Sequence, residues 1–198
     1  MDDLQLSSLV SSRICHDLIS PVGAIGNGLD LVRTAGGGEE EMNLIADCAE
    51  AAAAALRFLR TAFGARDPAE SISVEELAAA AEGHLARRKI RLDWGDARGT
   101  MRFRAARPLL LLALVGAGAL PRGGLMRLSV AEAEPLAIEW RLSGGPVKLQ
   151  DRARALLRQR PDPAETAPGD VHFLLLWLAA EGSGARPYFR EDGAVGVA

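Results

Sequence analysis

Three consecutive glycines, Gly36-Gly37-Gly38, separate two long stretches of helical periodicity, and this more than anything else limits what the chain can become. Upstream, over residues 2–34, apolar side chains recur at Ile14, Leu18, Val22, Ile25, Leu29 and Val32. Such spacing gathers them into one stripe on one face of a helix. A glycine run loses too much backbone entropy to continue that helix, so it ends there. Glu39-Glu40-Glu41 then places carboxylates in the first turn of a second helix, where the helix dipole favours them. Its apolar positions, Ile45, Ala49, Ala52, Leu56, Leu59 and Phe63, form a seam suited to packing along a partner helix. The pair is a helical hairpin, and a hairpin alone cannot bury its stripe. Either the remaining chain covers it or a second copy completes a four-helix bundle. The remaining sequence is patterned differently, so a homodimer is the simpler solution.

The break falls at Gly64-Ala65-Arg66-Asp67-Pro68, a polar linker that divides the chain into units 1–66 and 67–198. Beyond it, helical and strand patterns alternate. Ser73 followed by Glu76 marks a helix start and a helix to about residue 87. Strands are expected at 90–94 and 101–104, and Pro108 is expected in the first turn of an apolar helix ending near Leu120. Strands at 125–130 and 136–142, helices at 149–158 and 171–180, and a terminal hairpin pairing 188–190 with 195–197 complete the pattern. The fold class is α+β.

Composition narrows the function. Hydrophobic residues reach 48% but aromatics only 5%, so the core must be built from small aliphatics, which suits close-packed helices. With 23 basic against 26 acidic residues, the net charge of −3 argues against a nucleic-acid binder. Cys15 and Cys48 are too few for a disulfide framework and lack metal-ligand spacing, so two buried thiols in a reducing compartment are expected. The start Met1-Asp2-Asp3 is acidic where a signal peptide would be basic, and the longest apolar run, 109–120, is too short to span a bilayer. A cytoplasmic protein with no membrane or nucleic-acid partner is expected.

Histidine is scarce: His16, His84 and His172. His84 and His172 read as structural or surface residues, and Arg87-Arg88-Lys89 and Arg152/Arg154/Arg158/Arg160 as solvated helix faces. His16 differs. At about 100° per residue it lies opposite the apolar stripe, among Ser12, Arg13, Ser20, Gly23, Asn27 and Asp30. That apron of small and polar side chains leaves room for another protein's backbone to approach the ring. Asp17 follows directly, where it can orient the ring or take its proton. Pro21 removes a backbone hydrogen bond inside the helix, at a cost of ~3 kcal/mol. The alternative is an ordinary solvated histidine.

The run His16-Asp17-Leu18-Ile19-Ser20-Pro21-Val22 resembles the H-box of the dimerisation and phosphotransfer domain of sensor histidine kinases. The longer stretch 12–31 is similar to the ChpT-type histidine phosphotransferases of alphaproteobacteria, which append a degenerate, Bergerat-like ATPase domain to the hairpin. The resemblance implies a phosphoacceptor at His16 Nε2, with Asp17 favouring the tautomer or accepting a proton, Arg13 steadying phosphate charge and Pro21 shaping the helix. It implies docking of a response-regulator receiver domain on Ser12, Ile19, Ser20, Gly23 and Asn27. Donor and acceptor would both be receivers, which bring the Mg²⁺; the chain itself would hold no metal or cofactor.

An active kinase of that kind needs asparagines for Mg²⁺, an aspartate for adenine and a glycine-rich lid. Here Leu111 and Val115 stand where the asparagines would be, and Leu142 precedes the glycines of 143–146 where the aspartate belongs. No glycine lid precedes the helix that starts near Val171. ATP binding is therefore not expected. Two rivals remain: a true histidine kinase with an unusual ATP site, and a non-catalytic module that only sequesters regulators or inhibits kinases.

Overall fold

The structure is a computed structural model that describes residues 3–36, 38–131 and 136–198. Asp2 and Gly37, which figured in the expected first helix and its stop, lie outside the described residues. Helices α1 (Asp3–Ala35) and α2 (Glu39–Phe63) pack along each other as a hairpin. Gly38 N–H donates to Glu41 Oε2 at 2.8 Å, so the acidic first turn of α2 caps its own start.

The rest is an α/β layer. Strands β1 (Ser71–Ser73) and β3 (Thr100–Arg102) form a small antiparallel pair. Five further strands, β2 (Ile90–Asp93), β4 (Gly124–Ala131), β5 (Ala137–Ser143), β6 (Pro187–Phe189) and β7 (Ala194–Val197), build a sheet of order β2-β4-β5-β7-β6. Only β2 and β4 run parallel. Along β4 and β5, buried Met126, Leu128, Ile138, Trp140 and Leu142 alternate with more exposed residues, so one face of the sheet meets the core. Helices α3 (Val74–Leu85), α4 (Phe103–Ala119) and α6 (Val171–Glu181) join that core, and α5 (Asp151–Arg158) packs beside α6 and β6. Helix α4 is the centre: Leu109, Leu110, Leu111 and Leu112 are all 0% exposed, and the Trp140 indole N–H donates to the Leu109 carbonyl at 3.0 Å. The α+β class is as expected. Among the described residues no helix is long and apolar enough to cross a membrane.

The hairpin does not stand apart. Phe58, Leu59 and Ala62 of α2 enter the same core as α4, and α2 packs against α3 and α4 as well as α1. This corrects the expected α2 seam. Leu59 and Phe63 are buried, but Ala49 and Leu56 face outward, while Cys48, Ala55, Phe58 and Ala62 turn in. A helix contacted on two sides buries a broader arc than one seam. On α1, likewise, Ile14, Leu18 and Ile25 are partly covered, but Val22 and Leu29 are exposed because the packing of α2 covers a narrower arc of α1. Cys15, expected to be buried, is exposed; Cys48 is buried, and both are free thiols.

Helix α4 starts at Phe103, so Pro108 lies inside it rather than in its first turn, and the strand expected at 101–104 ends at Arg102. The linker is responsible. Phe103 N–H donates to Glu70 O and Arg104 N–H to Pro68 O, and these distant carbonyls satisfy helix-end donors that local patterning leaves open. Ser73 Oγ accepts from Glu76 N–H at 3.0 Å, which fixes the start of α3 where the sequence placed it.

Candidate functional site

Around His16, α1 has four unlike sides. Its α2-facing side carries Ile14, Leu18, Pro21, Ile25 and Gly28, all partly or fully covered. The opposite side holds His16, whose side chain is 81% exposed, with Ser12, Ser20, Gly23 and Asn27 exposed around it. A Cβ added at Gly23 would meet nothing within 4 Å, so the apron is open. A third side presents Ile19, 73% exposed, and Val22 and Leu29. The fourth faces the α/β layer and carries Arg13 and Asp17.

Arg13 was expected in the solvated apron. Instead its side chain is 16% exposed and is held from across the molecule. Its Nη1 donates to the Gly169 carbonyl at 2.7 Å, in the 3₁₀ turn Pro168–Asp170 that precedes α6. Its Nε donates to Asp17 Oδ2 at 2.8 Å, and the other Asp17 oxygen, Oδ1, lies 3.1 Å from His16 Nδ1. The reason for the correction is this long-range carbonyl, which draws the guanidinium inward.

Electrostatics then select a tautomer. Burial pushes the Asp17 carboxyl upward, but hydrogen bonds from Arg13 and His16 and the Arg13 charge outweigh it, leaving the group below the usual carboxylate range. An ionised carboxylate can only accept, so Nδ1 of a neutral His16 ring must carry the hydrogen that points at Oδ1. The Nε2 lone pair is left on the exposed side of the ring. Pro21, inside α1, supplies no N–H, so the Asp17 carbonyl loses its helical partner one position beyond His16.

The structure gathers residues that the sequence left scattered. His84 stacks on Phe58, with ring centroids 4.3 Å apart and planes at 11°. Burial pushes its imidazole down to about 4; the Asp17 charge opposes this, while Arg88 and Arg13 add to it. His172 is buried and is likewise pushed to about 4, first by burial and then by Arg13, with Asp170 opposing. The charges of one Arg13–Asp17 pair therefore act on His84 and His172, while Asp17 contacts His16 directly. Only the scarcity of histidine hinted at this, because the elements that bring them together are far apart in the chain.

The positions that the sequence resemblance sets against nucleotide-binding residues of kinases are apolar and covered: Leu111 is 0%, Val115 2% and Leu142 3% exposed. Among the described residues no cluster of histidine, cysteine or acidic side chains could hold a metal ion.

Comparison with known proteins agrees with this layout. Residues 74–194 match the family described as the histidine phosphotransferase C-terminal domain. The chain is 41% identical over 135 residues to the protein phosphotransferase ChpT of Brucella abortus (strain 2308), covering 67% of this chain and 65% of that relative. The aligned region thus spans less than two thirds of the relative's length. Among solved structures, a bacterial phosphotransferase determined at 1.7 Å superposes with a TM-score of 0.83 at 28% identity, over 100% of this chain and 98% of the other.

Proposed function

The chain belongs to the histidine phosphotransferase family, and from that premise we propose that it relays a phosphoryl group between receiver-domain aspartates through His16 Nε2. The observation that carries the reading is the exposed ring whose Nδ1 is held by an ionised Asp17, leaving Nε2 free to attack. A receiver's aspartyl phosphate meets Nε2; the N–P bond forms as the acyl O–P bond breaks, and the receiver carboxylate departs with the electron pair. The ring becomes cationic, and Asp17 lies against Nδ1 to balance that charge or take the proton. A second receiver takes the group by the reverse step. Such transfer is mostly positioning and charge neutralisation. The Mg²⁺ would come with the receiver.

Arg13 and Asp17 act as positioning groups in this scheme, Pro21 shapes α1, and Ser12, Ile19, Ser20, Gly23 and Asn27 form the receiver-docking face. Residues 1–66 serve as the phosphotransfer hairpin and 67–198 as a degenerate Bergerat-like domain that binds no ATP. The Gly169–Arg13 contact gives that second unit a role as the brace behind the acceptor. Exposed Val22, Leu29 and Leu56 on the hairpin support a homodimer in which a second copy covers them. The free thiols fit a cytoplasmic location.

Incubation with a phosphorylated receiver should place an acid-labile, alkali-stable label on this chain, and His16→Gln should remove it without unfolding the protein. Labelling of that variant overturns the scheme. Receiver binding without any phosphohistidine would instead mark a sequestering module. Labelling from Mg-ATP alone would mark a kinase.

A further inference from the structure

Behind the Arg13–Asp17 pair, a cleft of about 220 Å³ opens between α1, α4, α5 and α6, and three of its polar lining residues are arginines. Arg13, Arg88 and Arg152 line it, together with Gln150 and His172. Arg152 spends Nε and Nη2 on a single oxygen of Asp170, at 2.8 and 2.5 Å, and keeps Nη1 uncommitted. Arg13 uses Nε and Nη1 and keeps Nη2. Arg88 has no hydrogen bond or ion pair among the described residues. Asp170, the one acidic residue of the lining, is already matched by Arg152.

A second observation is independent of the arginines. His172 lines the cleft at 9% exposure, and its Nδ1 has no hydrogen-bond partner. A buried imidazole nitrogen without a partner is destabilising unless something outside the chain satisfies it. Burial keeps this ring neutral at pH 7, although its interaction with the Gly169 backbone opposes the shift. The cleft also receives the N-terminal ends of two helices: Gln150 and Arg152 bracket the start of α5, and Asp170 and His172 that of α6. Neither end has a side-chain cap, and the positive ends of helix dipoles favour anions.

We propose that this cleft binds a small phosphate-class oxyanion, held by Arg88, Arg152 and Arg13 beside the His172 ring. A volume of about 220 Å³ suits inorganic phosphate or pyrophosphate and lies below the roughly 300 Å³ from which pockets for drug-sized ligands run. The walls beside the arginines, Val115 and Phe173 among them, are apolar and would leave a ribose unpaired. Because Arg13 belongs both to the cleft and to the Asp17 contact, a bound oxyanion sits one residue behind His16.

The test is a titration of the full chain with phosphate and then pyrophosphate, against chloride at equal ionic strength, following the ring nitrogens of its three histidines by NMR. The expected result is a saturable shift of His172 Nδ1. Arg152→Gln should weaken pyrophosphate binding by about tenfold, the loss of one charge-assisted contact, and Arg88→Ala by a smaller factor. Both side chains are exposed, so neither variant should unfold the protein, which circular dichroism verifies. ATP should bind no more tightly than pyrophosphate. Shifts that do not saturate, a silent His172, or affinity unchanged in both variants would overturn the site. ATP binding tenfold tighter than pyrophosphate would overturn it as well, by showing a nucleotide pocket.

Discussion

Asp17 does two things at once: it takes one hydrogen bond from the α/β layer's anchor, Arg13, and another from the acceptor ring. Asp17→Asn keeps the shape but frees the amide to rotate and present its N–H₂, so the His16 tautomer is no longer fixed. Transfer from a phosphorylated receiver should slow by roughly a hundredfold or more, with receiver affinity little changed. Equal rates would remove Asp17 from the mechanism. His84 and His172 give a separate expectation. Their folded-state values lie near 4 against an ordinary 6.5, so the unfolded chain takes up protons first as pH falls. Stability should be full above about pH 6.5 and decline between there and 4, by roughly 3 kcal/mol for each ring at most. Thermal melts across that range check the sign, and His84→Phe should flatten the slope. The adjacency of His16 and Asp17 was plain in the sequence. Arg13's inward turn was not, because its partner Gly169 lies 156 residues away.

At the level of the helix, two glycines of α1 have opposite surroundings. Gly23 faces open space, whereas a Cβ at Gly28 would lie 2.6 Å from Ile45 Cγ1 of α2. Gly28→Val should therefore destabilise the hairpin by about 1–3 kcal/mol, and Ile45→Ala should partly restore it. Gly23→Trp should leave the melting temperature unchanged but weaken receiver binding. A stability loss at Gly23, or none at Gly28, would mean that α1 is rotated from the position described. The existence of both helices was legible, since periodicity and the glycine stop are local signals. Which residues each one buries was not. Leu56 satisfied every local rule for a seam position yet is 53% exposed, because α3 and α4 claim a different arc of α2. The start of α4 was hidden for the same reason: its first donors bond to Pro68 and Glu70.

Across the whole molecule, apolar side chains of the hairpin remain in solvent although the α/β layer is already docked on α2. Val22, Leu29 and Leu56 are each about half exposed. Leu29→Glu combined with Leu56→Glu should shift light scattering from dimer to monomer, and a wild-type monomer would leave this face without its proposed occupant. The exposure of His16 has a kinetic consequence. With 81% of its side chain open and its brace already in contact, the acceptor requires no internal movement to be reached. Turnover is then governed by collision: transfer should rise linearly with receiver concentration up to complex saturation, show no lag, and slow with added salt to the extent that opposite charges steer the encounter.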